Sequence, residues 1–96
     1  MENTPFPKIS IVTCTFNSEK FLRKALESVE RQSYRNIEHI INDSFSRDGT
    51  REIIQEYIVR NQRRYPIHVM QSEPRGVANA LNTATEAASG DFAAPQ

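Results

Sequence analysis

The segment Ile40–Thr50, with the sequence IINDSFSRDGT, joins an apolar run to a run of small polar residues. Its two isoleucines lead directly into Asn42 and Asp43, and the tripeptide Asp48–Thr50 follows after four intervening residues. β-Branched apolar residues favour a strand, and an Asp ahead of a helical pattern favours a helix N-terminus. The segment therefore predicts a strand that ends on a carboxylate, followed by a loop that leads into a helix.

The same alternation of strand and helix runs along the whole chain. Strands are predicted at 8–13, 37–43, 66–72 and 91–95, and helices over 18–32, from Asp48 to about Arg64, and over 75–89, with Gly90 ending the last. The apolar helix faces comprise Phe21, Leu22, Ala25, Leu26 and Val29; Ile53, Ile54, Tyr57 and Ile58; and Val77, Leu81, Ala84 and Ala88. The order β-α-β-α-β-α-β predicts an α/β fold of βαβ units with a mainly parallel sheet. Residues 1–7 are read as an N-terminal tail and 8–96 as one domain.

Composition excludes several classes of protein. The 96 residues carry 12 Lys+Arg against 12 Asp+Glu, so the chain lacks the basic excess typical of nucleic-acid binders. It contains no apolar run of the length that a membrane span needs and no secretory signal pattern. Cys14 is the single cysteine and cannot form an internal disulfide. These features favour a cytoplasmic location.

The carboxyl ends of the predicted strands indicate where a ligand binds. In open parallel sheets ligands bind at that edge, and the segments 13–17, 42–49 and 72–76 follow the first three strands there. Asp43 is the sharpest candidate, either as a ligand acceptor or as a turn residue that bonds its own downstream backbone. Simpler structural roles suit the other candidates: helix capping for Asp48–Thr50, satisfied positions in strands for His39 and His68, burial for Cys14, and interaction with the helix dipole in solvent for Arg60, Arg63 and Arg64.

Several sequence blocks, in order, resemble the start of a family 2 glycosyltransferase domain of the GT-A fold. The matched positions are Thr15, Phe16 and Asn17; Ser28, Val29, Gln32, Ser33 and Tyr34; Glu38, Ile40, Ile41, Asp43, Ser46, Asp48, Gly49 and Thr50; Ser72, Glu73, Gly76, Val77, Ala80 and Asn82; and Ala88, Gly90 and Asp91. Together these blocks cover nearly the whole chain.

The resemblance implies a function and a site. It implies inverting transfer of a sugar from a nucleoside diphosphate sugar, most simply a UDP-sugar, to a hydroxyl of a glycan or lipid-linked acceptor. The parent enzyme would work in the cytoplasm, at the inner face of the membrane. The implied nucleotide-binding residues are Thr13, Thr15, Asn17, Asp43, Ser44, Gly76, Asn79 and Asn82, with Asp43 accepting a hydrogen bond from uracil.

The resemblance also places the catalytic machinery outside this chain. The family's Asp-x-Asp motif, which holds a divalent metal (Mn or Mg), is expected just after Gln96, and the catalytic base later still. No catalytic residue or metal ligand is therefore expected within the chain, which should be inactive alone. The last strand is expected to lie beside the first, with an outer edge open to self-association.

Three departures from the family pattern leave other functions open. Cys14 replaces the usual Pro, Ser44 and Phe45 replace the common Asp-Gly or Gly-Gly, and Asn79 stands where Asp is frequent. One alternative is a non-catalytic nucleotide-binding or interaction module. Another is a nucleotidyltransferase of similar topology, but it would want a Gly-rich phosphate loop with a basic residue after the first strand, which TCTFNSEK does not offer.

Overall fold

A computed structural model describes residues 7–73, 76–88, 90 and 92–95 of the chain. It contains, in order, β1 (Ile9–Thr15), α1 (Glu19–Glu30), β2 (Ile37–Asp43), α2 (Thr50–Asn61), β3 (Ile67–Gln71), α3 (Val77–Glu86) and β4 (Phe92–Pro95). This confirms the predicted α/β alternation. Within these described ranges, no helix has both the length and the apolar character needed to cross a membrane.

The four strands form one parallel sheet in the order β3-β2-β1-β4. Ile9 pairs with Phe92, so the last strand lies beside the first, as predicted. The chain moves in one direction from β1 to β3 and then returns across the sheet to β4. Because such crossovers are right-handed, α1 and α2 cover one face and α3 covers the other.

Two apolar clusters fill the spaces between helices and sheet. The larger lies under α1 and α2 and comprises Ile11, Leu22, Leu26, Val29, Ile37, Ile41, Ile53, Ile54, Tyr57 and Tyr65. The smaller lies under α3, with Val12, Ile40 and Ala84 buried and Cys14, Met70, Leu81 and Ala88 packed against them. The predicted helix faces are confirmed with one exception: Phe21 is 75% exposed, because α1 turns only its Leu22–Leu26–Val29 side toward the sheet. The side chain of Val77 is not among those described.

Cys14 is only partly buried, where the sequence predicted a buried residue. Its partial burial raises the pKa of the thiol above its ordinary value. The residue lies near the carboxyl end of β1, where the sheet begins to open toward the loops.

A chain of polar side chains runs through the larger cluster. His39 is fully buried; its Nε2 is 2.7 Å from Thr13 Oγ1 and its Nδ1 is 2.6 Å from Tyr57 OH. Tyr57 OH in turn lies 2.7 Å from Tyr65 OH. Both ring nitrogens of His39 are therefore partnered, which confirms its predicted structural role.

A buried carboxylate connects strands at the amino edge of the sheet. Glu38 is 2% exposed; it accepts a hydrogen bond from Ser10 Oγ at 2.6 Å and lies 3.3 Å from Lys8 Nζ. His68, on the exposed surface of β3, brings its Nε2 to 3.6 Å from the same carboxylate. Ser10 Oγ also accepts from Gly90 N–H at 2.8 Å, so this group ties in the segment that leads to β4.

The arginines at the end of α2 do more than the solvent role predicted from sequence. Arg60 Nε donates to Glu30 Oε2 at 3.1 Å, and Arg64 Nη2 donates to the Glu30 carbonyl at 3.0 Å. Asn61 Nδ2 lies 2.5 Å from the same carboxylate. Arg60 and Arg64 are exposed, in keeping with the predicted solvent role, and they also contact the last turn of α1, which supplies the acceptors. Arg63 is exposed.

Candidate functional site

The loops after β1 and β2 are joined into one unit at the carboxyl edge of the sheet. Ser44 N–H donates to the Thr15 carbonyl at 2.9 Å, which continues the pairing of the two strands. Asn17 N–H donates to Ser46 Oγ at 2.9 Å, and Arg47 N–H donates back to Asn17 Oδ1 at 2.8 Å. These bonds fix both loops against each other, so groups at this edge are held in place before any ligand arrives.

Asp43, the last residue of β2, is the most constrained group at the edge. Its side chain is 1% exposed, and Oδ1 accepts from Thr15 Oγ1 at 2.6 Å and from Ser46 Oγ at 2.5 Å. Oδ2 accepts from Ser46 N–H at 2.9 Å. The last bond is the turn interaction that the structural interpretation of Asp43 predicted. A carboxylate offers about four acceptor positions, so Oδ2 has capacity for one more donor.

Two cavities open beside these loops. One, of about 300 Å³, is lined by Cys14, Thr15, Phe16, Ser18, Ser44, Gly76 and Ala80. The other, of about 380 Å³, lies between α2 and β3 and is lined by Asp43, Arg51, Ile54, Gln55, Ile58, Val69, Met70 and Gln71. Asp43 and Ser44 are consecutive residues on different cavities, so the end of β2 forms the boundary between the two.

Four of the residues implied by the resemblance come together here. Thr15, Ser44 and Gly76 line the smaller cavity, and Asp43, bonded to Thr15, lines the larger. Asn17 lies at the same edge, where its side chain braces the neighbouring loop.

The other three implied residues lie outside both cavity linings. Thr13 is 4% exposed, and its hydroxyl contacts His39 in the core. Asn79 and Asn82 are exposed on α3. The Asn79 carbonyl accepts from Thr83 Oγ1 at 3.0 Å within that helix.

Asn42 is a structural determinant of the edge that the sequence analysis did not single out. It is fully buried; its Nδ2 donates to the Ala80 carbonyl at 3.0 Å, and its Oδ1 accepts from Ser72 Oγ at 3.0 Å. It thereby fastens α3 and the segment after β3 to the end of β2. An amide that follows two isoleucines of a strand, directly before Asp43, was the available signal, because buried polar groups require partners.

The described residues do not form a metal site. No group of three or more His, Cys, Asp or Glu side chains among them is arranged to hold a metal ion. The carboxylate of Asp48, at the end of the loop after β2, is occupied by hydrogen bonds from Thr50 and Glu19. The part of the chain that the structure describes therefore offers protein-bound acceptors and open cavities, but not the ligand set of a divalent cation.

These features define the class of protein: an α/β domain with the architecture found in GT-A glycosyltransferases, built around the carboxyl edge of a parallel sheet. The chain belongs to glycosyl transferase family 2, whose model matches residues 10–95. The resemblance drawn from the sequence blocks is thus confirmed.

Individual relatives share both sequence and fold. A GalNAc(5)-diNAcBac-PP-undecaprenol β-1,3-glucosyltransferase of Campylobacter jejuni is 30% identical over 86 residues, which are 90% of this chain and 28% of the relative. A mannosyltransferase of Pyrobaculum calidifontis, solved in complex with GDP-Man and Mn²⁺, superposes with a TM-score of 0.84 at 28% identity over 94% of this chain and 27% of the other. Staphylococcus aureus TarS 1–349 in complex with UDP-GlcNAc superposes with a TM-score of 0.80 at 29% identity. The match covers 92% of this chain and 25% of the TarS chain. The chain thus spans only about a quarter of the length of each of these three chains.

Proposed function

We propose that this chain is the nucleotide-binding part of an inverting glycosyltransferase that moves a sugar from a nucleoside diphosphate sugar to an acceptor hydroxyl in glycan or polysaccharide synthesis. Membership of glycosyl transferase family 2 supports the reaction class. The share of each relative that the chain spans supports its being one part of the machinery. On this proposal the chain alone binds nucleotide but transfers no sugar.

The observation that carries the proposal is the carboxylate of Asp43 at the end of β2. Thr15 and Ser46 hold it in one orientation, Oδ2 keeps capacity for one more donor, and Asp43 is among the residues that line the larger cavity. The imide N–H of uracil is a donor that suits such a group, whereas cytosine carries an acceptor at the same ring position. A fixed acceptor discriminates strongly against a base that leaves it unpaired. We therefore assign uridine nucleotides as the preferred donors.

We propose that a divalent cation, Mn or Mg, serves the complete enzyme and is held by residues other than those described. A Mn²⁺ ion in the related mannosyltransferase supports this assignment. Such an ion would offset the charge of the departing nucleoside diphosphate. The residues of this chain have a different task, which is to bind the nucleoside through the fixed loops after β1 and β2.

The acceptor and the location are further parts of the proposal. The undecaprenol-linked glycan in the name of the Campylobacter relative supports a lipid-linked or glycan acceptor. An enzyme using such an acceptor with a cytosolic nucleotide sugar would work at the inner face of the membrane. The outer edge of β4, which ends the sheet order, is proposed as a site of self-association.

Base discrimination tests this proposal directly. The chain is titrated with UDP and with CDP, and binding is followed by ligand-observed NMR. We expect wild type to prefer UDP and Asp43→Asn to lose about tenfold of that preference, because the amide removes an acceptor of the uracil imide. Asp48→Asn is the matched control, since it also removes a carboxylate at this edge but should leave the preference unchanged. Equal UDP and CDP affinity in wild type would overturn the assignment.

A further inference from the structure

Among the residues that the structure describes, each of the three loops at the carboxyl edge contains one with a positive φ angle. These residues are Asn17 after β1 (φ 48°), Phe45 after β2 (φ 54°) and Gly76 after β3 (φ 100°). Glycine adopts this region freely and asparagine tolerates it, but a bulky aromatic residue there is an outlier. Phe45 also occupies a position where the family pattern commonly has glycine, so its backbone keeps a glycine-like conformation under an aromatic side chain.

The backbone on either side of Phe45 is fixed by hydrogen bonds. Ser44 N–H donates to the Thr15 carbonyl, while Ser46 donates twice to the Asp43 carboxylate. These bonds hold the left-handed conformation in place. Asn17 gains a side-chain bond from its own left-handed position, since its Oδ1 accepts from Arg47 N–H. A phenyl ring has no group that could do the same.

Burial does not offset the strain at Phe45 either, because the side chain is 49% exposed. The position therefore combines an unfavourable backbone conformation with an aromatic ring in water. Strained residues that persist in a well-held loop are concentrated at ligand-binding sites. A residue type that does not suit its backbone conformation, with no gain in stability to explain it, likewise indicates a functional site.

The place of Phe45 in its loop indicates what its ring would contact. The bonds Thr15–Ser44 and Asn17–Ser46 flank Phe16 on one loop and Phe45 on the other. The two phenylalanines are thus each one residue away from the same two links. Phe16 is 54% exposed and lines the smaller cavity. Phe45 is also exposed, on the adjoining loop, and directly follows Ser44, which lines the same cavity.

We infer that Phe45 is a nucleobase-binding residue, whose ring adds to that of Phe16 a second aromatic face on which the base of the nucleotide stacks. This inference rests on the proposed function and deepens it. Stacking uses the flat face of the base and is tolerant of base identity, because every base has one. Phe45 therefore contributes affinity for purine and pyrimidine nucleotides alike.

Four single variants of the chain separate binding from folding. Phe45→Ala removes the aromatic ring but keeps the backbone strain. Phe45→Gly removes the ring and the strain, and Phe45→Tyr keeps an aromatic ring and the strain. Phe21→Ala is the matched control, because Phe21 is also an exposed phenylalanine but lies on α1 rather than on these loops. UDP and GDP are the probes, with affinities from ligand-observed NMR at millimolar nucleotide and melting temperatures from circular dichroism.

We expect Phe45→Ala and Phe45→Gly to lower the affinities for UDP and GDP by similar factors. The loss should be roughly 5- to 100-fold, as for one stacked base contact. Phe45→Gly should also melt a few degrees higher than wild type, because the strain is relieved. Phe45→Tyr and Phe21→Ala should bind like wild type. If Phe45 had a purely structural role, Phe45→Gly would instead lower the melting temperature.

Two results would overturn the inference, and they are distinguishable from each other. If wild type binds UDP and Phe45→Ala binds it within about twofold, Phe45 does not stack on the base and the proposed function stands. If wild type binds neither UDP nor GDP, the proposed function itself fails and the inference falls with it.

Discussion

Glu19 and Asp48 each bind the backbone at the start of the other's helix. Asp48 Oδ2 accepts from Glu19 N–H at 3.2 Å, and Glu19 Oε1 accepts from Gly49 N–H at 2.9 Å. Ser18 N–H adds a bond to Thr50 Oγ1 at 2.8 Å. The first turns of α1 and α2 are thereby joined directly behind the loops that carry Asn17 and Asp43. The exchange places a carboxylate at each positive helix end, and it aligns the two helices at the edge proposed to bind nucleotide.

Asp48→Asn should lower the melting temperature at neutral pH, because it weakens acceptors used by Glu19 and Thr50 at once. Glu52→Gln, at an exposed first-turn position of α2, is the control and should change it little. Hydrogen bonds from Thr50, foremost, hold the pKa of Asp48 below its ordinary value. The contribution of the Asp48 carboxylate to folding stability is therefore fully present above its unfolded-state pKa, near 4. It is lost as the pH falls through the lower pKa of the folded state. Thermal melts of wild type and both variants at pH 7 and pH 3 check this prediction. A fall in melting temperature on Asp48→Asn that is as large at pH 3 as at pH 7 contradicts it.

His39 should make the fold sensitive to mild acid. Burial lowers the pKa of His39 to about 4, against an ordinary value near 6.5. The folded state keeps the ring neutral while the unfolded state takes up a proton, so stability falls as pH drops from about 6.5 to 4. Over the whole window the loss is about 3 kcal/mol, at 1.36 kcal/mol for each pH unit of difference. Urea unfolding at pH 7 and pH 5 measures the change in unfolding free energy. The variant His39→Gln should be less stable than wild type, but its unfolding free energy should change less between the two pH values. An equally steep profile in that variant would assign the effect to other groups.

Gly90 should tolerate alanine less well than Gly49 does. A Cβ at Gly90 would lie 2.5 Å from Ser10 Oγ and 2.9 Å from the Lys8 carbonyl, which is backbone and has little room to move. At Gly49 the nearest atom is Glu19 Oε2 at 3.1 Å, on a flexible side chain. Overpacking of this kind typically costs about 1–3 kcal/mol, so Gly90→Ala should show the larger fall in unfolding free energy. Equal losses in the two variants would mean that the segment before β4 relaxes freely.

The isolated 96-residue chain should associate with itself or be only marginally stable. In the described sheet β4 pairs with β1 and stands at the end of the strand order, so its outer backbone groups form an edge that another chain can pair with. Sedimentation velocity across a range of concentrations measures the association. A wild-type chain that stays monomeric at high concentration and melts cooperatively argues against this edge as a contact.

Much of the fold follows from local pattern in the sequence. The isoleucines of β2 and the helical spacing of Leu22, Leu26 and Val29 identify their elements without knowledge of the partners. The strand-end position of Asp43 was predictable for the same reason, since parallel strands bring their carboxyl ends to one edge. The place of the last strand beside the first was implied by the family resemblance, and the handedness of the crossovers then determines which face each helix covers.

Long-range partners were not predictable from the same information. Asp48 was predicted to cap its own helix, and its Oδ1 does accept from Thr50 N–H at 3.0 Å, but its bond to Glu19 crosses 29 residues of sequence. Ser18 is the N-cap residue of α1, yet its side chain makes no capping bond to that helix, although serine is favoured at this position. Apolar spacing included Phe21 in the helix face, because periodicity does not reveal how wide a face the sheet covers. Asn42 gave no local indication that its partners would be Ala80 and Ser72.

The central claim is that the carboxyl edge of this sheet binds a uridine nucleotide, and amide chemical-shift mapping tests it most directly. A ¹⁵N-labelled sample of the chain is titrated with UDP. The account predicts that the largest shifts fall in the loops after β1, β2 and β3, at Thr15, Ser44, Ser46 and Gly76, while amides of the amino edge, such as Ser10 and Glu38, stay unchanged. Shifts confined to the amino edge, or no shifts at millimolar UDP, would contradict it.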